Sequence, residues 1–198
     1  MPKLHSYVVA RDYGFAPNPF HGFCTLATCK PKIRRAAQVG DWIVGTGSAY
    51  RNRRGHIVYA MRVSETMCFD QYWADLRFRA KRPNLRGSRK QAFGDNIYHK
   101  DPETDQWLQV DSHHCHDDGT PNSRNIDNDT QTDRILIGED FIYWGGGGPE
   151  IPKFHGIDIC KKGPGHKSDF PDEVVQAFVQ WVRSFGDGGY LGKPLRWD

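Results

Sequence analysis

The sequence predicts an α+β fold, a small mixed β-barrel with short flanking helices and a longer C-terminal helix. Three observations carry that reading. Val39-Gly40-Asp41-Trp42-Ile43-Val44-Gly45-Thr46-Gly47-Ser48 joins a Gly-Asp turn to a short buried strand with a polar mouth, and Ile57–Val63 supplies a neighbouring strand after an arginine-rich loop. Val174, Val175, Phe178, Val182 and Phe185 recur on one face at helical spacing. A chain of 198 residues, 13% of them aromatic, is long enough to enclose an aromatic-rich core. The expected organisation is a single domain over residues 1–198, with the barrel over about 4–160 and a helical extension over about 165–198.

The elements follow in order. Ser6–Ala10 is an apolar, β-rich run and the expected first strand. Arg11–Phe23 contains Pro17, Pro19, Gly14 and Gly22 and reads as irregular. Pro31 opens a short basic helix over 32–38, which Gly40 ends. After the Trp42 and Ile57 strands, Phe69–Phe78 mixes aromatic and charged residues at helical spacing, with Asp70 as its N-cap. Arg79–Gly94 is polar and basic and reads as an exposed loop. Trp107–Val110 alternates as a strand does, and His116–Thr132, rich in Asp, Asn, Gly and Ser, reads as a long loop. Arg134–Gly138 and Phe141–Trp144 are two further strand pieces. The glycine run 145–148 permits a sharp bend or close backbone approach. It lacks the Gly-x-Gly-x-x-Gly spacing and a Walker lysine, so it is a poor phosphate cradle. The last helix begins near Pro171, carries Asp172 and Glu173 in its first turn, and stops at Gly186.

Charge and cysteine usage narrow the classes. The net charge is only +3, but from Arg77 to Lys90 there are seven basic side chains and no acid, while acids gather between Asp95 and Asp140. Such asymmetry suits a face that meets phosphates. Cys24, Cys29, Cys68, Cys115 and Cys160 are odd in number and form no Cys-x-x-Cys pair, which argues against a disulfide framework. No run approaches the roughly 20 apolar residues that cross a bilayer, and Met1–His5 lacks the apolar core of a signal peptide. A cytoplasmic protein is the expectation.

Four constellations could carry chemistry. Arg11–His21 follows the first strand. Its Tyr13, Phe15 and Phe20 could stack on a base, Asn18 could read a base edge, and Arg11 could meet a phosphate or pair with Asp12. Asp111–Asp118 packs His113, His114, His116 and Cys115 among carboxylates, residue types that suit zinc. The spacing is poor, however, and no metal is expected. Gly94–His99 reads first as an Asp-Asn turn, with Asn96 free to bond backbone or ligand. The rim Thr46-Gly47-Ser48, with Tyr50, offers hydroxyls beside a glycine. No Gly-x-Ser-x-Gly elbow marks a serine nucleophile.

The order of strand, irregular loop, short basic helix, Gly-Asp turn, strand, basic loop and strand resembles the PUA-like superfamily, which includes EVE, ASCH and YTH domains. Ser6–Val9, Val39–Val44, Gly47-Ser48 and Ile57–Val63 carry the likeness over roughly the first third of the chain. Over its whole length the chain resembles the nucleotide-modification-associated domain proteins of bacteria and phages, through Tyr7–Gly14, Gly94–Tyr98 and Phe141–Gly145. The first resemblance implies a PUA-like barrel and a base held in an aromatic-lined pocket; the second implies a setting in DNA modification or phage defence.

The resulting expectation is a non-catalytic binding module for a modified nucleobase, taken as a nucleotide or flipped from nucleic acid, with no cofactor. The expected ligand set is Arg11, Tyr13, Phe15, Asn18, Thr46, Gly47, Ser48, Tyr50, Asn96 and Trp144. Arg51, Arg53, Arg54, Arg79, Lys81, Arg82 and Arg86 are the expected phosphate contacts. The rival is an enzyme acting on a base or nucleotide. It would use His21, His113 or His114 as acid or base, oriented by Asp12 or Asp111. A third reading is an interaction protein with no ligand.

Overall fold

A computed structural model describes residues 2–197. Its strands and helices run β1 (Leu4–Val9), β2 (Cys24–Leu26), α1 (Pro31–Ala36), β3 (Trp42–Gly47), β4 (Ile57–Arg62), β5 (Glu65–Met67), α2 (Phe69–Ala74), α3 (Arg89–Ala92), β6 (Tyr98–Lys100), β7 (Trp107–Gln109), α4 (Ser123–Asp129), β8 (Ile135–Gly138), β9 (Phe141–Tyr143), β10 (His166–Lys167), α5 (Asp172–Arg183) and β11 (Gly189–Tyr190). The fold is α+β. The chain divides into two compact units, one of Met1–Tyr13, Ala37–Ser64 and Gly138–Asp198, the other of Gly14–Ala36 and Glu65–Ile137.

The first unit is built on a six-stranded sheet in the order β10-β1-β3-β4-β9-β11. β1 and β3 run parallel, with Leu4 opposite Trp42 and Val9 opposite Gly47; β4 pairs antiparallel with both β3 and β9. The Gly-Asp turn before β3 has a clear cause. Gly40 takes φ +97°, a region that favours glycine. Asp41 then accepts from the Lys3 amide at 2.7 Å and the Gln38 amide at 2.9 Å, tying the turn to the start of β1. Val174, Val175, Phe178 and Val182 of α5 are buried in one core with Trp42, Val44, Ala60 and Ile142. Each such side chain contributes about 1.5–3 kcal/mol of transfer free energy. Phe185, expected on the same stripe, lies past the end of α5 and is 40% exposed.

Among the described residues this sheet does not close into a barrel; β10 and β11 are its edges. The two strand pieces expected side by side near residue 140 part company. β9 joins the six-stranded sheet, whereas β8 is the centre of a separate sheet in the order β2-β8-β5.

The second unit combines that three-stranded sheet with the β6–β7 hairpin and short helices. Three expectations change here. The N-cap of α2 is Cys68, whose Sγ accepts from the Gln71 amide, while Asp70 in the first turn accepts from the Lys100 amide at 2.7 Å. The expected basic loop 79–94 begins inside a 3-10 turn over Leu76–Lys81 and contains α3. The expected long loop before residue 132 contains α4, whose start is fixed by the Asn122 side chain accepting from the Asn125 amide at 3.2 Å.

Candidate functional site

In the first unit, the residues expected to form a ligand rim are bonded to the protein itself. Thr46 Oγ1 donates to the Tyr7 carbonyl at 3.2 Å, and Ser48 Oγ donates to the Ala10 carbonyl at 3.4 Å while accepting from the Tyr50 amide. A Cβ at Gly47 would collide with the Arg53 carbonyl, so this glycine serves backbone packing. Tyr50 lies under the Arg196 guanidinium, 3.7 Å from its ring centroid. Trp144 is buried in the core and meets Phe185 edge-on. Asp12 is buried; it accepts from Tyr143 Oη at 2.5 Å and from the Leu195 amide at 3.0 Å. Its neighbour Tyr13 gives its carbonyl to the Trp197 indole at 2.9 Å. Thus Asp12 anchors the C-terminal tail. Arg11, Arg51 and Arg54 are exposed, and Arg53 is half-buried with its guanidinium on the Gly148 carbonyl.

The second unit gathers residues from three of the four constellations. At its centre Lys81, fully buried, donates to the Asn18 carbonyl at 3.0 Å, Asn18 Oδ1 at 2.6 Å, the Phe23 carbonyl at 2.9 Å and Thr25 Oγ1 at 3.1 Å. Thr25 in turn donates to Asp95 Oδ2 at 2.6 Å, and Tyr72 Oη donates to Asp95 Oδ1 at 2.9 Å. Burial pulls the Lys81 ammonium down to about 8, against the pull of the Asp95 charge. Burial likewise raises the Asp95 carboxyl, against Lys81 and its two hydroxyl partners. Lys81 is therefore an interior cation and not a surface phosphate contact. Asn18 is spent on Lys81 and on the Phe93 carbonyl, and Asn96 donates to the Tyr72 and Phe78 carbonyls. Arg82 stacks on Trp73 at 3.7 Å, whereas Arg79 and Arg86 are exposed. His21 is exposed along one side, yet partial desolvation of its ring by the surrounding protein, with the charges of Lys81 and Lys90, holds its value below the usual histidine range.

Beside this network lies a cluster that the sequence reading did not assemble. Cys29 Sγ is 3.7 Å from His114 Nε2, and His114 Nδ1 is 2.9 Å from Asp129 Oδ2. The Cys29 amide donates to Asp129 Oδ1 at 2.7 Å, and Tyr98 Oη donates to Oδ2 at 3.0 Å. Burial acts to lower the His114 value, but the Asp129 hydrogen bond, the Cys29 contact and both charges outweigh it and raise it to about 9. Cys29 sits at φ +57° and Lys30 at φ +45°, left-handed positions uncommon for non-glycine residues, directly before α1. Arg34 of α1 is buried and bonded into the cluster. Its guanidinium donates to the carbonyls of Cys29 at 2.8 Å, Arg134 at 2.8 Å and Thr132 at 3.1 Å, and to that of Asp129.

Rings brace the two histidines. Phe15, itself buried, lies 4.5 Å from the His114 centroid and 5.4 Å from that of His113. Phe93 meets His113 edge-on at 5.1 Å. The donor atoms of Cys29, His114 and Asp129 lie within 4.8 Å of one another, a spacing that could hold a cation. The bonding pattern instead makes a line from thiol to imidazole to carboxylate, with both carboxylate oxygens saturated by donors.

Cys29 and Asp129 are the residues missed from sequence. The one local sign for Cys29 is its place two residues before a helix-opening proline; Asp129 lay in a segment read as loop. Among the described residues no helix is long and apolar enough to cross a membrane. No curated protein and no solved structure matches the chain. The family model described as nucleotide modification associated domain 2 matches residues 1–198, and the chain belongs to that family, which associates it with nucleotide modification.

Proposed function

We propose that the protein binds a nucleobase, carried by a nucleotide or a nucleic-acid strand, on its second unit. The observation that carries this reading is the exposed His113 ring, braced edge-on by Phe15 at 5.4 Å and by Phe93 at 5.1 Å. A ring already held by two others loses little freedom when a base stacks on it. Arg86, Arg89 and Lys90, all exposed, precede Phe93 in the chain and supply cations for phosphate. The proposal places stacking at this ring cluster rather than at the Thr46–Ser48 rim, whose hydroxyls are engaged within the first unit. Membership of a family associated with nucleotide modification makes a modified base, in DNA or as a nucleotide, the ligand to try first.

The test is fluorescence anisotropy with labelled single-stranded oligonucleotides, modified and unmodified, across a salt series. Affinity falls as salt rises, and removing Arg86 and Arg89 flattens the slope by about 0.7 per lost contact. His113→Ala weakens binding by about 1–3 kcal/mol without changing the slope. Absence of binding, or binding indifferent to salt and to His113, refutes the proposal.

A further inference from the structure

We propose that Cys29 is a catalytic nucleophile that adds to C6 of a pyrimidine ring, with His114 carrying the proton and Asp129 as the positioning residue. The inference goes beyond base binding and rests on it for the substrate.

The geometry is that of an activated nucleophile: a thiol, a base within reach of it, and a third group fixing the base. Cys29 is half-buried with its Sγ 3.7 Å from Nε2, while Nδ1 is committed to Asp129. Asp129 also grips the Cys29 amide, so one carboxylate sets both the base and the backbone of the nucleophile. The left-handed φ of Cys29 and Lys30 is an independent sign, since strain of this kind persists where the surroundings enforce it and gathers at active sites. The other cysteines have different surroundings. Cys24 is buried, and burial pushes its thiol up; Cys68 caps α2; Cys115 donates to the Val110 carbonyl at 3.3 Å; burial pushes Cys160 up to about 12.

The family's association with nucleotide modification supplies the class of molecule to try, and thiol chemistry supplies the atom attacked. C6 of a pyrimidine is conjugated to the group at C4 and accepts a thiolate with no leaving group. The proton between Sγ and Nε2 resides on the His114 imidazole, and Sγ, as the thiolate, bonds to C6. The C5–C6 π pair moves to C5, delocalised onto the group at C4, and His114 delivers its proton to C5. The adduct has new S–C6 and C5–H bonds and needs no oxidant, reductant or second substrate. In reverse, a C5 proton returns to His114, the S–C6 bond breaks and the ring double bond re-forms. Hydrogen at C5 therefore exchanges with solvent.

Two measurements on the full chain test this. Limiting iodoacetamide followed by peptide mass analysis should label Cys29 at least tenfold faster than Cys68, and His114→Ala should abolish that advantage. Asp129→Asn should shift the pH midpoint of Cys29 labelling, whereas Phe178→Ala, which loosens the core of the first unit, should not. Deoxyuridine and deoxycytidine monophosphates, free and within oligonucleotides, are then incubated in heavy water. Deuterium should appear at C5 with the natural chain and not with Cys29→Ala or His114→Ala. Labelling of Cys29 no faster than Cys68, or exchange that survives Cys29→Ala, overturns the proposal. So does one equivalent of tightly held zinc that blocks labelling, since the three residues would then be ligands. Preferential labelling with intact oligonucleotide binding but no exchange overturns the pyrimidine chemistry and leaves base binding standing. Loss of binding as well refutes both.

Discussion

Replacing His114 by glutamine removes one titrating group and should change how stability depends on pH. The folded-state value of His114 is about 9, against an ordinary 6.5. A histidine raised on folding stabilises the folded chain fully below the lower value, and the contribution is lost as pH climbs through the upper one. The shift corresponds to about 3 kcal/mol. The ring is only 15% exposed and its partner Asp129 is wholly buried, so solvent screening removes little of this. The natural chain and His114→Gln, melted side by side from pH 6 to pH 10, should therefore differ most at pH 6. The gap should narrow by about 3 kcal/mol towards pH 10, roughly 6–12 °C in Tm for a chain of this size. Lost packing and hydrogen bonding give an offset that does not vary with pH, so the narrowing alone reports the proton. A gap constant across that range would show that His114 does not hold its proton against Asp129 and Cys29.

Arg34→Met leaves four carbonyls without their donor and Asp129 without a neighbouring cation, and should cost about 3–5 kcal/mol in urea unfolding. Lys81→Met keeps the stem but strands the Asn18 and Phe23 acceptors and uncovers Asp95; a loss of at least about 2 kcal/mol is expected by the same assay. Gly47→Ala drives a methyl into the Arg53 carbonyl and should cost about 1–3 kcal/mol by thermal shift, with no effect on oligonucleotide binding if the base sits on the second unit. Phe178→Ala opens the core of the first unit and should cost about 3–5 kcal/mol.

The elements that were legible in the sequence are those set by local pattern. The β1, β3 and β4 strands and the Val/Phe stripe of α5 stand where alternation, turn residues and helical spacing place them. Closure of a barrel was not legible, because it depends on which sheet each short strand joins; β8 and β9 are separated by two residues yet pair in different sheets. The helix α4 escaped because Asn, Asp and Ser favour turns, and its N-cap bond is visible only once the chain is folded. Lys81 read as surface because it stands in a basic run. What buries it is a set of acceptors from Asn18, Phe23 and Thr25, some sixty residues away. His114 was named from sequence only as one alternative beside His21 and His113, and its partners Cys29 and Asp129 lie 85 and 15 residues away, a separation that no local spacing rule covers.

The placement of Arg34 explains how a buried carboxylate can be left for a histidine. A guanidinium beside a buried aspartate ordinarily takes both carboxylate oxygens in a forked pair. Here Arg34 donates to backbone carbonyls, that of Asp129 included, and the Asp129 carboxylate is left to the Cys29 amide, Tyr98, Asn128 and His114. The cation still offsets the charge of the buried carboxylate while yielding its hydrogen-bonding sites. Burial lowers Arg34 to about 10, with Asp129 the first of the charges opposing that fall. The arrangement also ties the strained Cys29–Lys30 turn at two points, the Cys29 carbonyl to Arg34 of the helix that follows and the Cys29 amide to Asp129, 100 residues away. Such double tethering over-determines an unfavourable backbone, the condition under which strain survives in a folded chain. Arg34→Lys therefore separates charge from shape. It retains a cation near Asp129 but cannot reach four carbonyls from one planar fork, so it should preserve part of the His114 shift while slackening the Cys29 turn. Preferential iodoacetamide labelling of Cys29 should fall in Arg34→Lys even where the pH dependence of stability remains; equal retention of both would mean that the turn holds itself.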